Sequence, residues 1–174
     1  MATDRLDQLL GVVALSAADR IRLATEHDLA HGGALPAALV HLEAYPDEPL
    51  DSLRVALRIS QPGAVRVVDR LEEQGLVQRR PGPDGRTRAL RLTSAGLAAA
   101  HGVQRRRASA LSELTASLSA SERGRLLPLL ERITSSLAVD RPGAVATCRL
   151  CDRDTCCGTG AGCPLAHTTE ALAP

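Results

Sequence analysis

Every cysteine of the chain, Cys148, Cys151, Cys156, Cys157 and Cys163, falls in the segment TCRLCDRDTCCGTGAGCPLAH. That segment is too poor in apolar residues to bury a core, so bonds to sulfur must order it: disulfides or metal-thiolate bonds. The spacing is C-x2-C-x4-C-C-x5-C-P. An iron-sulfur cluster takes four thiolates, accepts irregular spacing and often has Pro after its last cysteine, as in Cys163-Pro164. A zinc site wants four tetrahedral N/S ligands; C-x2-C is its usual first half, but the matching second knuckle is missing. Iron-sulfur is therefore the first reading, zinc the second, and metal-free redox thiols or disulfides the third. Cys148, Cys151 and Cys163 belong to every metal arrangement, while the adjacent Cys156 and Cys157 compete for the remaining place. His167 is read as a solvated tail histidine rather than a ligand.

Compartment bears on that choice. The N-terminus MATDRLDQLL is charged and has no signal-peptide apolar core, and no apolar run is long enough to span a bilayer. A cytoplasmic protein with no membrane partner is expected, where thiols are kept reduced and metal or redox chemistry is favoured over a disulfide framework.

The second set of chemically informative residues is basic. All 21 cationic side chains are Arg, each a planar fork suited to phosphate and guanine edges, although genomic base composition also accounts for the missing Lys. Between Arg54 and Arg91 nine arginines face four acids, a local balance of +5 in a chain whose net charge is only +1. A compact basic stretch in an otherwise acidic protein is the electrostatic footprint of a nucleic-acid reader.

These residues need elements to hold them. With no Phe, no Trp and one Tyr, the core must be built from Ala, Leu and Val, which suits closely packed helices. Apolar residues at three- and four-residue steps predict a long helix from Asp4 to about Leu29, ended by HGG at 31–33. Helices are predicted over Leu35–Ala44 and Leu50–Leu57. Ser60 is an N-cap for a helix running to Gln74, with Pro62 in its first turn, Gly75 after its end, and Val65, Val68 and Leu71 as its buried stripe. The period then becomes alternating through LVQRR, PGPDG and RTRALRLT, a hairpin with Val77, Leu90 and Leu92 inward. Ser94 and Ser121 are expected to cap two further helices, reaching about Leu118 and Leu137, and DRPG at 140–143 to break the chain before the cysteines.

The segment SQPGAVRVVDRLEEQGLVQRRPGPDGRTRALRLTSAG, Ser60 to Gly96, resembles the MarR family of winged helix-turn-helix regulators in its recognition helix, VDRLE-x-x-GLV exit, D-x-R wing tip and LT-x-x-G entry to the next helix. The resemblance implies a mainly α fold with a small two- or three-stranded β wing, assembled as a MarR-like dimer. On it the chain divides into an N-terminal dimerisation helix (1–33), a winged helix-turn-helix (34–93), C-terminal dimerisation helices (94–138), a linker (139–147) and a cysteine-rich metal-binding tail (148–174). Leu53-Arg54-Val55 and the pair Pro62-Gly63 depart from the family's usual sequence and bear on base preference rather than fold.

The resemblance further implies a homodimer on a palindromic duplex operator, acting as a transcriptional repressor, with recognition helices in successive major grooves and wings in flanking minor grooves. Arg66 is the first candidate for a base-edge contact; Ser60, Gln61 and Gly63, at a helix N-terminus, suit phosphate or base. Arg86 resembles the family's wing-tip arginine with Asp84 orienting it, and Arg80 and Arg88 are candidates for phosphate contact. Arg70 is read as a structural partner for Asp69, Glu73 or the wing, and Arg79 and Arg91 as part of a solvated strand edge. The cysteine tail, following the dimer helices, is expected to be a redox or iron input that alters half-site separation. The reading of another class is a winged-helix protein-interaction module. The first 147 residues contain no Gly-rich phosphate loop, no Ser/His/Asp set and no H-E-x-x-H, so no enzyme is expected, and a small-molecule effector remains possible without any residue identifying it.

Overall fold

A computed structural model describes residues 4–26, 33–82, 88–158 and 162–170. The elements in order are α1 (Arg5–Glu26), α2 (Leu35–Ala44), β1 (Glu48–Pro49), α3 (Leu50–Leu57), α4 (Gln61–Glu73), β2 (Val77–Pro81), β3 (Arg88–Leu92), α5 (Ser94–Leu114), α6 (Ala120–Ser135), α7 (Arg141–Thr147), α8 (Arg153–Cys157) and α9 (His167–Glu170). Helices α3 and α4 form the helix-turn-helix and the three strands form an antiparallel sheet in the order β1-β3-β2.

The core sits where α2, α3, α4 and the sheet meet, with Leu39, Leu42, Leu53, Val68, Leu71 and Leu90 nearly inaccessible to solvent. Small and branched side chains fill it without an aromatic ring, which draws the helices close. The tightest approach is at Gly96, where a Cβ would lie 2.0 Å from the Leu76 carbonyl oxygen. Thr93 locks the same corner: its N–H donates to Leu76 O at 3.0 Å, and its hydroxyl donates to Gly75 O at 2.7 Å. Gly75 takes φ of +69°, the left-handed turn that lets the chain leave α4 for β2.

Several local expectations need correction. The segment YPDEP does more than close α2: Glu48 and Pro49 pair with Leu90 and Ala89, making the third strand. The cap of α5 is Thr93, whose Oγ1 accepts from Gly96 N, and not Ser94. The cap of α6 is Ser119 and not Ser121, because Ser119 and Glu122 satisfy each other reciprocally in a capping box. Residues 139–147 are not simply a linker: Asp140 caps α7 by accepting from Gly143 N at 2.7 Å, so the apparent breaker DRPG starts a helix.

Helix α1 packs along α5, whereas α6 has no buried residue. Leu6, Leu9 and Leu10 on α1 and Leu127, Leu130 and Ile133 on α6 stay exposed.

Candidate nucleic-acid interface and cysteine site

Ser60 has extended backbone, and its hydroxyl oxygen accepts from Gly63 N at 3.3 Å, so its role in starting α4 is met locally while its hydroxyl hydrogen stays available outward. Gly63 sits close under this cap, where an added Cβ would come within 3.2 Å of the Ser60 hydroxyl. The buried stripe is Ala64, Val68 and Leu71, a four- and three-residue step, and this corrects the expectation for Val65. Being one residue, or about 100°, further round the helix, Val65 faces outward with Gln61, Pro62, Arg66 and Arg70.

The charges of α4 are distributed asymmetrically. Arg79 of β2 reaches back to α4, donating from Nη2 to Asp69 Oδ1 at 2.6 Å and from Nη1 to Glu72, while its backbone N–H donates to Glu72 Oε1 at 3.2 Å. Arg79 is thus a brace between wing and helix rather than part of a solvated edge. It also takes the partner expected for Arg70, which is exposed and pairs with no acid among the described residues. Arg66 is exposed in the same way. With two of its acids occupied by Arg79, the outer face of α4 presents two guanidinium groups.

The wing is held at its base by Arg91, whose Nε donates to Asp47 Oδ1 at 2.7 Å while Nη2 donates to the second carboxylate oxygen. Arg91 is therefore structural too. Arg80 and Arg88 are exposed near the far end of the hairpin, where Arg80 lies opposite Ala89 and Arg88 opposite Pro81. Asp84 and Arg86 lie outside the described residues. No sequence signal pointed to the Arg79 brace, since its partners lie seven and ten residues away across a turn.

The cysteine segment folds back onto the body of the protein. Helix α7 packs on α3, and Arg141, Pro142 and Val145 stand beside Asp51, Ser52 and Val55. Leu150 packs against the main core, and a small second core of Ala138, Ala144 and Leu165 carries Cys148 and Cys163 on its edge. Helix α7, immediately ahead of the cysteines, thus rests on the first helix of the helix-turn-helix.

A cavity of about 330 Å3 separates this tail from the end of α2; Val40, His41 and Tyr45 line one side, and Cys148, Cys151, Cys157 and Cys163 the other. Arg153 lies over the Tyr45 ring, 4.8 Å from its centroid, and ties α8 to the helix-turn-helix domain. All five thiols are free of disulfides. The Cys151 thiol donates to the Asp152 carbonyl at 3.5 Å, and the interaction between the neighbouring Cys148 and Cys151 side chains holds Cys148 below the usual thiol range and drives Cys151 above it. Burial, then the neighbouring Cys163, pushes Cys157 up to about 11. Among the described residues no three His, Cys, Asp or Glu side chains are already gathered as a metal cage. His167 Nε2 lies 3.3 Å from the Ala138 carbonyl, apart from the thiols.

The comparisons with known proteins agree with this architecture. The sequence model of the MarR family matches residues 38–87, from within α2 to the residue before β3. Wild-type MarR of E. coli in its apo form superposes with a TM-score of 0.62 at 24% identity, covering 75% of this chain and 98% of that one. A probable transcriptional regulator from Pseudomonas aeruginosa gives 0.55 at 28% identity, covering 74% and 99%. MepR, a transcription regulator of the Staphylococcus aureus multidrug efflux pump MepA, gives 0.65 at 18% identity, covering 75% and 96%. A comparison with curated proteins gives no match. Among the described residues no helix is long and apolar enough to cross a membrane. The family match over the helix-turn-helix and wing, together with the fold shared over three quarters of the chain, makes this chain similar to the MarR-family regulators.

Proposed function

We propose that the chain is a cytoplasmic, homodimeric repressor that reads a palindromic duplex through α4 and the wing, with the cysteine tail as its input. The observation that carries the DNA assignment is the charge arrangement on α4: Arg79 pairs with both Asp69 and Glu72, leaving Arg66 and Arg70 exposed beside the free face of Gln61 and Ser60. A helix of this width fits the major groove, where a guanidinium can address guanine O6 and N7. Exposed Arg80 and Arg88 suit phosphate at the flank, and by sequence Asp84 and Arg86 are the further candidates between them. The exposed apolar rows of α1 and α6 support a second copy, since each would otherwise leave several leucines in water.

For the tail, an iron-sulfur cluster is the leading occupant and zinc the alternative. The donor set fits either: four soft thiolates, from Cys148, Cys151, Cys157 and Cys163, border one cavity. That lining favours Cys157 over Cys156, which is exposed, although Cys156 also lies within hydrogen-bonding reach of Cys151. A cluster bound there would supply oxidation-state and iron sensitivity to a tail that contains almost no core. Because α7 rests on α3, ordering or releasing the tail acts directly on the helix that supports α4.

Anaerobic purification followed by visible spectroscopy and metal analysis tests the input. A brown protein with iron and acid-labile sulfide supports the cluster; a colourless protein with one zinc per chain replaces it; a protein with neither leaves redox thiols. An excess of unlabelled random duplex that displaces every labelled sequence equally would restore the protein-interaction reading.

A further inference from the structure

We infer that Pro62 and Val65 form a thymine-methyl subsite on the recognition helix, beside the guanidinium of Arg66. The inference rests on the DNA-reading assignment above and names part of what is read. Val65 is 36% exposed although the chain has a core place one residue away, which the smaller Ala64 takes with no exposure at all. Pro62, also exposed, precedes Val65 by three residues, so the two side chains are neighbours on one helix face. Every other exposed side chain on α4, from Gln61 through Arg66 and Arg70 to Glu73, is polar or charged. The apolar pair thus stands on the same helix as the exposed Arg66 and Arg70, within a segment of net charge +5, which suits a polyanion with one apolar group at its edge.

Among the base edges of the major groove, only thymine carries a methyl group. Arg66 follows Pro62 by four residues and so lies beside it on the helix surface, and a guanine and a thymine at neighbouring positions match the arrangement. An isolated surface valine needs no explanation. Here it lies on the one face that the fold leaves free for the groove.

The test uses the full chain. Duplexes enriched from a random-sequence library by the wild-type protein are resynthesised with deoxyuridine for each thymidine in turn, which removes the methyl and keeps the pairing edge. At one or two positions per half-site, wild type should lose about fourfold in affinity, the effect of one buried methyl group. V65A should already be weaker on the unmodified duplex and lose nothing further at the same positions. Wild type indifferent to every deoxyuridine, or V65A as sensitive as wild type, overturns the subsite. Failure to enrich any sequence overturns the DNA reading itself, before a uracil is introduced. If V65A does not fold, V65T, which keeps the branched shape and one methyl, takes its place in the same comparison.

Discussion

Arg79 Nη2 lies 2.6 Å from Asp69 Oδ1, so the wing is fastened to the recognition helix by a residue that the sequence places ten positions away. Both side chains are more than a third exposed. Arg79→Ala should therefore cost less than about 1 kcal/mol of stability, as exposed ion pairs do. DNA affinity should fall more than the thermal midpoint suggests, because the wing loses its angle to α4 and the freed Asp69 and Glu72 face phosphate. Denaturation alongside fluorescence-anisotropy titrations separates the two effects.

Arg66 and Arg88 should fail in different ways. Arg66→Ala should relax discrimination at one base pair by about 1–3 kcal/mol, the worth of a bidentate guanine contact. Arg88→Ala should weaken all duplexes alike and reduce the slope of log affinity against log salt by about one unit. Titrations over a salt series on selected and scrambled duplexes distinguish the outcomes, and equal behaviour of the two variants would contradict the assignment of roles.

Gly96→Ala should be severely destabilising. The new methyl would meet the Leu76 carbonyl oxygen at 2.0 Å, and that carbonyl is fixed by Thr93, so relief requires α5 to move off the wing. A loss of about 3 kcal/mol or more, at the upper end for overpacking, should appear in urea denaturation. Gly124→Ala, with open space around it, is the control and should be neutral or stabilising.

Burial holds His41 below its ordinary value of 6.5, against the opposing pull of Glu48. The native state therefore binds this proton less readily than the unfolded chain, and stability from this site is full above pH 6.5 and declines as pH falls through the folded value. The His41→Gln variant should show a flatter stability profile below pH 6.5 in denaturation series. An unchanged profile would place the acid sensitivity elsewhere.

The parts of the fold that follow from neighbouring residues were legible in the sequence. Ser60, Pro62 and Gly75 mark both ends of α4, because a cap, a missing N–H and a left-handed turn are local matters. The cap at Ser119 is legible too, through Glu122 three residues on, although Ser121, nearer the apolar run, offers a competing cap signal. Strand β1 was not legible, since two residues become a strand only by pairing with Leu90 and Ala89 some forty residues away. The same holds for the site. Arg66 could be named from its place on a helix, whereas the roles of Arg70 and Arg79 depended on which of them reached Asp69. The cysteines announce soft-ligand chemistry, but their place beside the end of α2 follows from α7 packing on α3, a contact between segments some ninety residues apart.

One titration tests the central claim most directly: a duplex enriched from a random library against the anaerobically purified chain, before and after treatment with a metal chelator. Selective binding should exceed that of a scrambled duplex by about a thousandfold or more at physiological salt, and chelation should shift it by at least about tenfold, a common size for coupled sites. Equal retention of selected and scrambled duplexes would contradict the DNA reading, and an affinity untouched by chelation would contradict the tail as its input.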